Sequence, residues 1–305
     1  MKGNLLPIIS ITLILSCNST EVTRDQSNEN NSFNPSEEFA QYWWSGKAEL
    51  TSYQLEQVRY GQIHQGEAVL IFVTEDFSSS KHVKLDNPEA AGNDAVNVMK
   101  LNFTKKFNTG IYPYSMMLSS FKPVIVQDHP NTLKVTATSQ EWCGHTFTQL
   151  DLEGDQYLGH LYSYFESEGS DSELELSKNF LEDEIWNTIR LDYHLLPIGE
   201  VKIIPGLLSQ RLMHTDFKVL NANASLQKQN DQVMMYQVKY KNPERTLRIF
   251  FEDYFPYKIT GWEDSHTSAG EKLTTKATYN KSLTLDYWNK NNLADSVYRK
   301  QLGLY

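Results

Sequence analysis

Beyond residue 47 apolar and polar side chains mostly alternate. The runs "ELTSYQLEQVRYG" (49–61), "EAVLIFVTEDF" (67–77), "NVMKLNFTKKF" (97–107) and "TLKVTATSQEW" (132–142) are rich in β-branched and aromatic residues. A period of two puts alternate side chains on opposite faces of a strand. "QIHQGEA" (62–68) reads as a hairpin turn between the first two runs, and "QYLGHLYSYFE" carries the strands to about Glu166. The acidic "ESEGSDSELEL" (166–176) then reads as a connector. It leads into "SKNFLEDEIWNTIRL" (177–191), where Phe180, Leu181, Ile185 and Ile189 form a helical apolar stripe with Trp186 at its margin and Ser177 as a cap. Strands resume in "GEVKIIPG", "DFKVLNANASL", "QVMMYQVKY", "TLRIFFEDYF" and "EKLTTKATYN", with "KNPERT" a turn.

Two helices frame this pattern. Asn34-Pro35 followed by "SEEFAQYWW" is a helix start, with Asn34 as cap and Glu37 and Glu38 in the first turn. The tail "LDYWNKNNLADSVYRKQLGL" reads as a closing helix. The expected fold is therefore mainly β: an antiparallel sheet, half-barrel or sandwich, with a few peripheral helices. The two strand groups form either halves of one sheet or two lobes, 35–176 and 177–305. Strands that do not alternate with helices exclude α/β winding.

The first sixteen residues, "MKGNLLPIISITLILS", break the alternation. Lys2 precedes an apolar run from Leu5 to Leu15, shorter than the roughly 20 residues a spanning helix needs and fitting a signal peptide. It ends in "ILSC", which resembles the lipobox of bacterial lipoproteins, cut before the cysteine. Cys17 is then the lipidation site, a palmitate-type acyl anchor in a membrane, with residues 17–34 a polar, disordered tether. "NSTEV" after Cys17 lacks the acidic cluster of surface-exported lipoproteins, which favours a periplasm-facing cell-envelope protein.

Charge narrows the partners. The formal charge is −10, and −11 without Lys2. An acidic chain without a basic run is repelled by nucleic acid, which excludes nucleic-acid binding. With Cys17 lipidated, Cys143 is the remaining thiol of an exported domain.

"SQEWCGH" (139–145) holds the most suggestive chemistry. Read as one strand, it sets Leu133, Val135 and Ala137 on the face of Glu141, Cys143, His145 and Phe147. A Cys143–His145 nucleophile, aided by Glu141, would need the imidazole to draw the thiol proton. Nothing nearby completes that constellation, and a buried structural thiol is the expectation. The eight histidines are scattered without H-E-x-x-H spacing, so no metal site is expected. No Walker loop, G-x-G-x-x-G or G-x-S-x-G occurs, so no cofactor is expected either. The acid pairs in "LEDE", "FED" and "WEDS" read as solvated helix faces or strand ends. "TKKFNTGIYPYSMM" sets Lys105 and Lys106 beside Tyr112 and Tyr114. With Trp142, these are the candidate ligand-binding residues.

Together, "YWWSGKAELTSYQLEQVRYG", "KLNFTKKFNTGIYPYSMM", "SQEWCGHTF", "LEDEIWNTIR" and "GEVKIIPGLLSQRLMH" resemble a group of Bacteroidetes envelope lipoproteins. The resemblance covers most of the chain beyond Cys17. Several of that group carry the label "septum formation inhibitor Maf". True Maf proteins are cytoplasmic α/β nucleotide pyrophosphatases with an S-x-S-P-R-R loop, which this chain lacks, so that chemistry is not implied. The leading expectation is an anchored, non-enzymatic envelope protein binding a ligand or partner (a lipid, glycan or peptide) on a β-sheet face. The alternatives are a hydrolase or transferase using Cys143 and His145, and a structural envelope-assembly subunit.

Overall fold

The computed structural model describes residues 33–166 and 171–304. The expected signal peptide, Cys17 and nearly all of the tether lie outside those residues. Helix α1 (Glu37–Trp43) leads into β1 (Ala48–Arg59), β2 (Gln62–Ser78) and the short α2 (Pro88–Ala91). Then come β3 (Ala95–Thr109), β4 (Tyr112–Pro123), β5 (Lys134–Glu141), β6 (Gly144–Glu153), β7 (Gln156–Ser163) and β8 (Ser172–Ser177). The two-residue β9 (Phe180–Leu181) precedes α3 (Ile185–Asp192), β10 (Gly199–Ile204) and α4 (Leu207–Met213). A second meander closes the chain: β11 (Leu220–Lys228), β12 (Val233–Lys241), β13 (Glu244–Glu252), β14 (Ile259–Ser268), β15 (Glu271–Leu285), then α5 (Val297–Gln301).

All fifteen strands form one open sheet, mainly β as expected and antiparallel except where β9 meets β10. Its edges are β8 and β9, and its centre is the pairing of β1 with β15. The two strand groups are thus halves of one sheet.

The inner face wraps α3, which is no peripheral element. Residues Ile185 to Leu191 are all buried, because strands from both halves pack on the helix. Trp186 meets Phe103 of β3 and Trp262 of β14 with ring centroids 5.2 and 5.3 Å apart. Arg190 makes a bidentate pair with Glu49, at 2.6 and 2.8 Å, and lies over the Trp43 and Phe72 rings. On the outer face, Leu302 and Leu304 from the chain's end cover Ala48, Leu50, Val69 and Val73. That second small core is why β1 is buried on both sides.

Several turns differ from the expectation. The first hairpin turns at Tyr60-Gly61, both at positive φ (54° and 71°), as a two-residue type I′ turn requires. A Cβ on Gly61 would also come within 2.7 Å of the Ala269 Cβ in the neighbouring turn. "QIHQGEA" is therefore strand, opening β2. The end of the acidic connector is β8, and "WEDS" lies inside β14. Ser36, not Asn34, caps α1. The tail forms 3-10 turns and the five-residue α5 in place of one long helix.

Candidate functional site

The acidic triplet before α3 organises the interior. Glu182, Asp183 and Glu184 are all buried, not exposed on a polar helix face, and each ties down a different element. Glu184 accepts from Lys122 at 2.9 Å and from the Thr132 hydroxyl at 2.7 Å. Glu182 takes both terminal nitrogens of Arg245, at 2.6 and 2.7 Å, and the Tyr240 hydroxyl at 2.5 Å. Arg245 also donates to Asp264, at 2.8 and 2.9 Å. Its charge is thereby matched by two carboxylates.

Asp183 is different. Among the described residues, its side chain accepts a hydrogen bond from the Leu207 backbone N–H at 2.9 Å, at the start of α4. Burial, with Glu182 alongside, pushes its pKa up to about 8, so the neutral acid dominates at pH 7. Gly206 permits this approach: a Cβ there would sit 2.6 Å from Glu182 Oε1 and 2.9 Å from Asp183 Oδ1.

Across from these acids stands Lys105. Period two in β3 turns it inward with Phe103 and Phe107, while Lys106 faces out. The Lys105 amine donates to Gln57 Oε1 at 3.2 Å and lies 5.4 Å from the Phe103 ring centre. Among the described residues no carboxylate comes within 4.0 Å of it. Burial lowers its pKa to about 8, against the pull of Asp264, which still leaves it mostly protonated at neutral pH. His266 completes the wall. Burial lowers its pKa, and its Nδ1 has no hydrogen-bond partner among the described residues.

These groups, with Trp186, Trp262 and Met213, border a cavity of about 40 Å³, roughly the space of one water. Helix α4 lids it through Leu208, Ser209 and Leu212. Arg59 pins the end of that lid by donating to the Leu212 carbonyl at 2.5 Å, and lies 4.3 Å from the Tyr60 ring centre. The Tyr60 hydroxyl bonds that of Tyr114 at 2.8 Å, and Tyr112 reaches Tyr60 at 3.4 Å. The candidate tyrosines thus cluster around Arg59, Tyr114 buried and Tyr112 half-buried, and neither lines the cavity itself.

The remaining candidates go elsewhere. Lys106 lines an outer groove of about 950 Å³ with Lys281 and Lys300. "SQEWCGH" is a hairpin, not one strand: β5 ends at Glu141, Trp142 and Cys143 form the turn, and β6 starts at Gly144. Glu141 is buried, as its parity with Val135 and Ala137 requires, and accepts from the Cys143 N–H at 2.7 Å. Trp142 and Cys143 are exposed, so the thiol is not the buried one expected. His145 faces outward, paired with Gln140, beside an outer hollow lined by Met117, Phe147 and Tyr162. A hydrogen bond to Glu141 raises the thiol pKa, the reverse of nucleophile activation. Among the described residues no group of three or more His, Cys, Asp or Glu is placed to hold a metal.

Gln57, Glu182, Asp183, Arg245, Asp264 and His266 were not candidates from the sequence. The signal for Glu182, Asp183, Asp264 and His266 is ionisable residues within apolar runs, as in "FLEDEIW" and "ITGWEDSHT". No protein-family model matches this chain, and no curated protein matches it. Among solved structures it is similar to a β-barrel-like protein of a domain of unknown function, DUF1849, from Brucella abortus. That similarity has a TM-score of 0.46 at 8% identity, over 79% of this chain and 98% of the other.

Proposed function

We propose that this is a lipid-anchored cell-envelope protein that binds, rather than converts, a small ligand with an anionic headgroup beneath α4. The observation that carries this is Lys105: a buried, mostly protonated amine on a cavity wall with one amide oxygen as its partner. A buried cation without a direct ion-pair partner is costly, and an arriving carboxylate or phosphate relieves that cost. Two aromatic walls, Trp186 and Trp262, suit the part of a ligand next to the headgroup. The cavity is closed in this conformation, so binding requires α4 to lift from Asp183 and Arg59. The lipobox at Cys17 and the resemblance to Bacteroidetes lipoproteins support the envelope setting.

Titration of the full chain with acetate and with inorganic phosphate, followed by backbone NMR, tests this reading. Saturable shifts in β3, β14 and α4 are expected, and Lys105→Met should abolish them. Equal shifts in Lys105→Met, or none in the wild type with either anion, would count against it.

A further inference from the structure

A second cavity lies on the other side of α4, with no lining residue in common with the first. It has a volume of about 260 Å³ and lies between α4 and the inner face of β6 to β8. Its walls are apolar where Leu161, Leu174 and Phe217 contribute, polar at Thr148 and Gln210, and ionisable at Arg211, His214 and Asp216.

Gln210 gives this cavity its chemistry. The residue is 2% exposed. Its backbone is fully used: the N–H donates to Gly206 and the carbonyl accepts from Thr215 at 3.3 Å. Its side-chain amide is not, for among the described residues neither Nε2 nor Oε1 has a hydrogen-bond partner. A buried amide with both donor and acceptor unmatched weakens the fold. Position 210 faces a sheet whose other inward residues here are mainly apolar, where Met or Leu would serve packing better. A glutamine there fits a role in binding.

An amide offers a donor and an acceptor side by side. A single trans amide cannot answer both, because its C=O and N–H point to opposite edges. One extended peptide residue can, since its own N–H and C=O lie on the same edge, the C=O accepting from Nε2 and the N–H donating to Oε1. A carboxylate would leave Oε1 without a donor. We infer that this cavity is a binding site for one extended residue of a peptide, its backbone N–H and C=O read by Gln210. At about 30 Å³ per water-sized group, it holds roughly nine non-hydrogen atoms. That matches one small residue with the amide groups on either side of it. Thr148 provides a nearby hydroxyl, and Leu161, Leu174 and Phe217 cover the apolar flank.

The test uses the isotope-labelled full chain and two probes, N-acetyl-alanine N-methylamide and N-acetylglucosamine. The peptide probe should shift the Gln210 side-chain amide signal saturably. N-acetylglucosamine, whose lone acetamide cannot answer donor and acceptor together, should bind more weakly, and the reverse order would overturn the reading. Gln210→Met, close in shape, should abolish that binding while raising the melting temperature of the ligand-free protein by a few degrees. The site is overturned if neither probe moves the Gln210 signal. It is equally overturned if the methionine variant binds as well as wild type, or if it melts lower, because Gln210 would then be satisfied without a ligand.

Discussion

Asp183 occupies a place where a carboxylate ionises poorly. It is buried, beside Glu182, and among the described residues it has one backbone N–H in support. Its pKa rises from the ordinary 3.8 to about 8. Between those values the folded chain keeps a proton that the unfolded chain has released. The stabilisation held by the neutral acid is therefore complete below pH 3.8 and lost as pH climbs through about 8. The slope is at most about 1.4 kcal/mol per pH unit. Urea unfolding from about pH 5 to about pH 8 should show wild type losing more stability than Asp183→Asn, which retains the acceptor for Leu207 without the titration. Parallel curves for the two proteins would refute the assignment. At this scale the sequence was legible only in part. The alternation in "NFTKKF" separates inward Lys105 from outward Lys106, but runs of acids look alike whether they face water or Arg245. The "EWCGH" hairpin was hidden because Trp142-Cys143 is not a pair that announces a turn, and Glu141 supplies the bond that stabilises it.

Helix α3 depends on one ion pair. Burial alone would raise the Glu49 pKa, yet Arg190 outweighs it and holds the carboxylate down to about 2. Tyr42 and Thr51 add hydrogen bonds to the same group. Removing one partner strands a buried charge, at a cost of about 3–5 kcal/mol. Arg190→Met should lose that much in urea unfolding, and Arg190→Met with Glu49→Leu should recover most of it. A single variant within about 1 kcal/mol of wild type would refute a structural role for the pair. Many strands were readable because each repeats its period, but the expected helical stripe holds only from Ile185 to Ile189: Ser177 ends β8 and is no cap, and Phe180 and Leu181 form β9. Helix α4 was not readable: "LLSQRLM" spans less than two full turns of clear amphipathic pattern. It forms because Asp183 and Arg59 hold its two ends, and those partners are distant in sequence.

At the scale of the whole molecule, the proposed envelope role rests on Cys17. Cys17→Ala should move the protein from the membrane fraction to the soluble fraction, and retention of tight membrane association would refute the lipid anchor. Among the described residues no helix is long and apolar enough to cross a membrane. The alternation marked ten runs as strands where the sheet has fifteen, and it gave nothing of their order, because pairing partners leave no local trace. The central seam is the clearest case. It joins the first strand to the last, so that Ser52 contacts Lys281 at a sequence separation of 229. Each meander can zip hairpin by hairpin as it emerges, but the middle of the sheet has no partner until the final strand arrives. Closing so long a loop is slow relative to hairpin formation. A chain crossing a membrane from its N-terminus would remain half-built, with β1 exposed along one edge, until nearly all of it had been delivered.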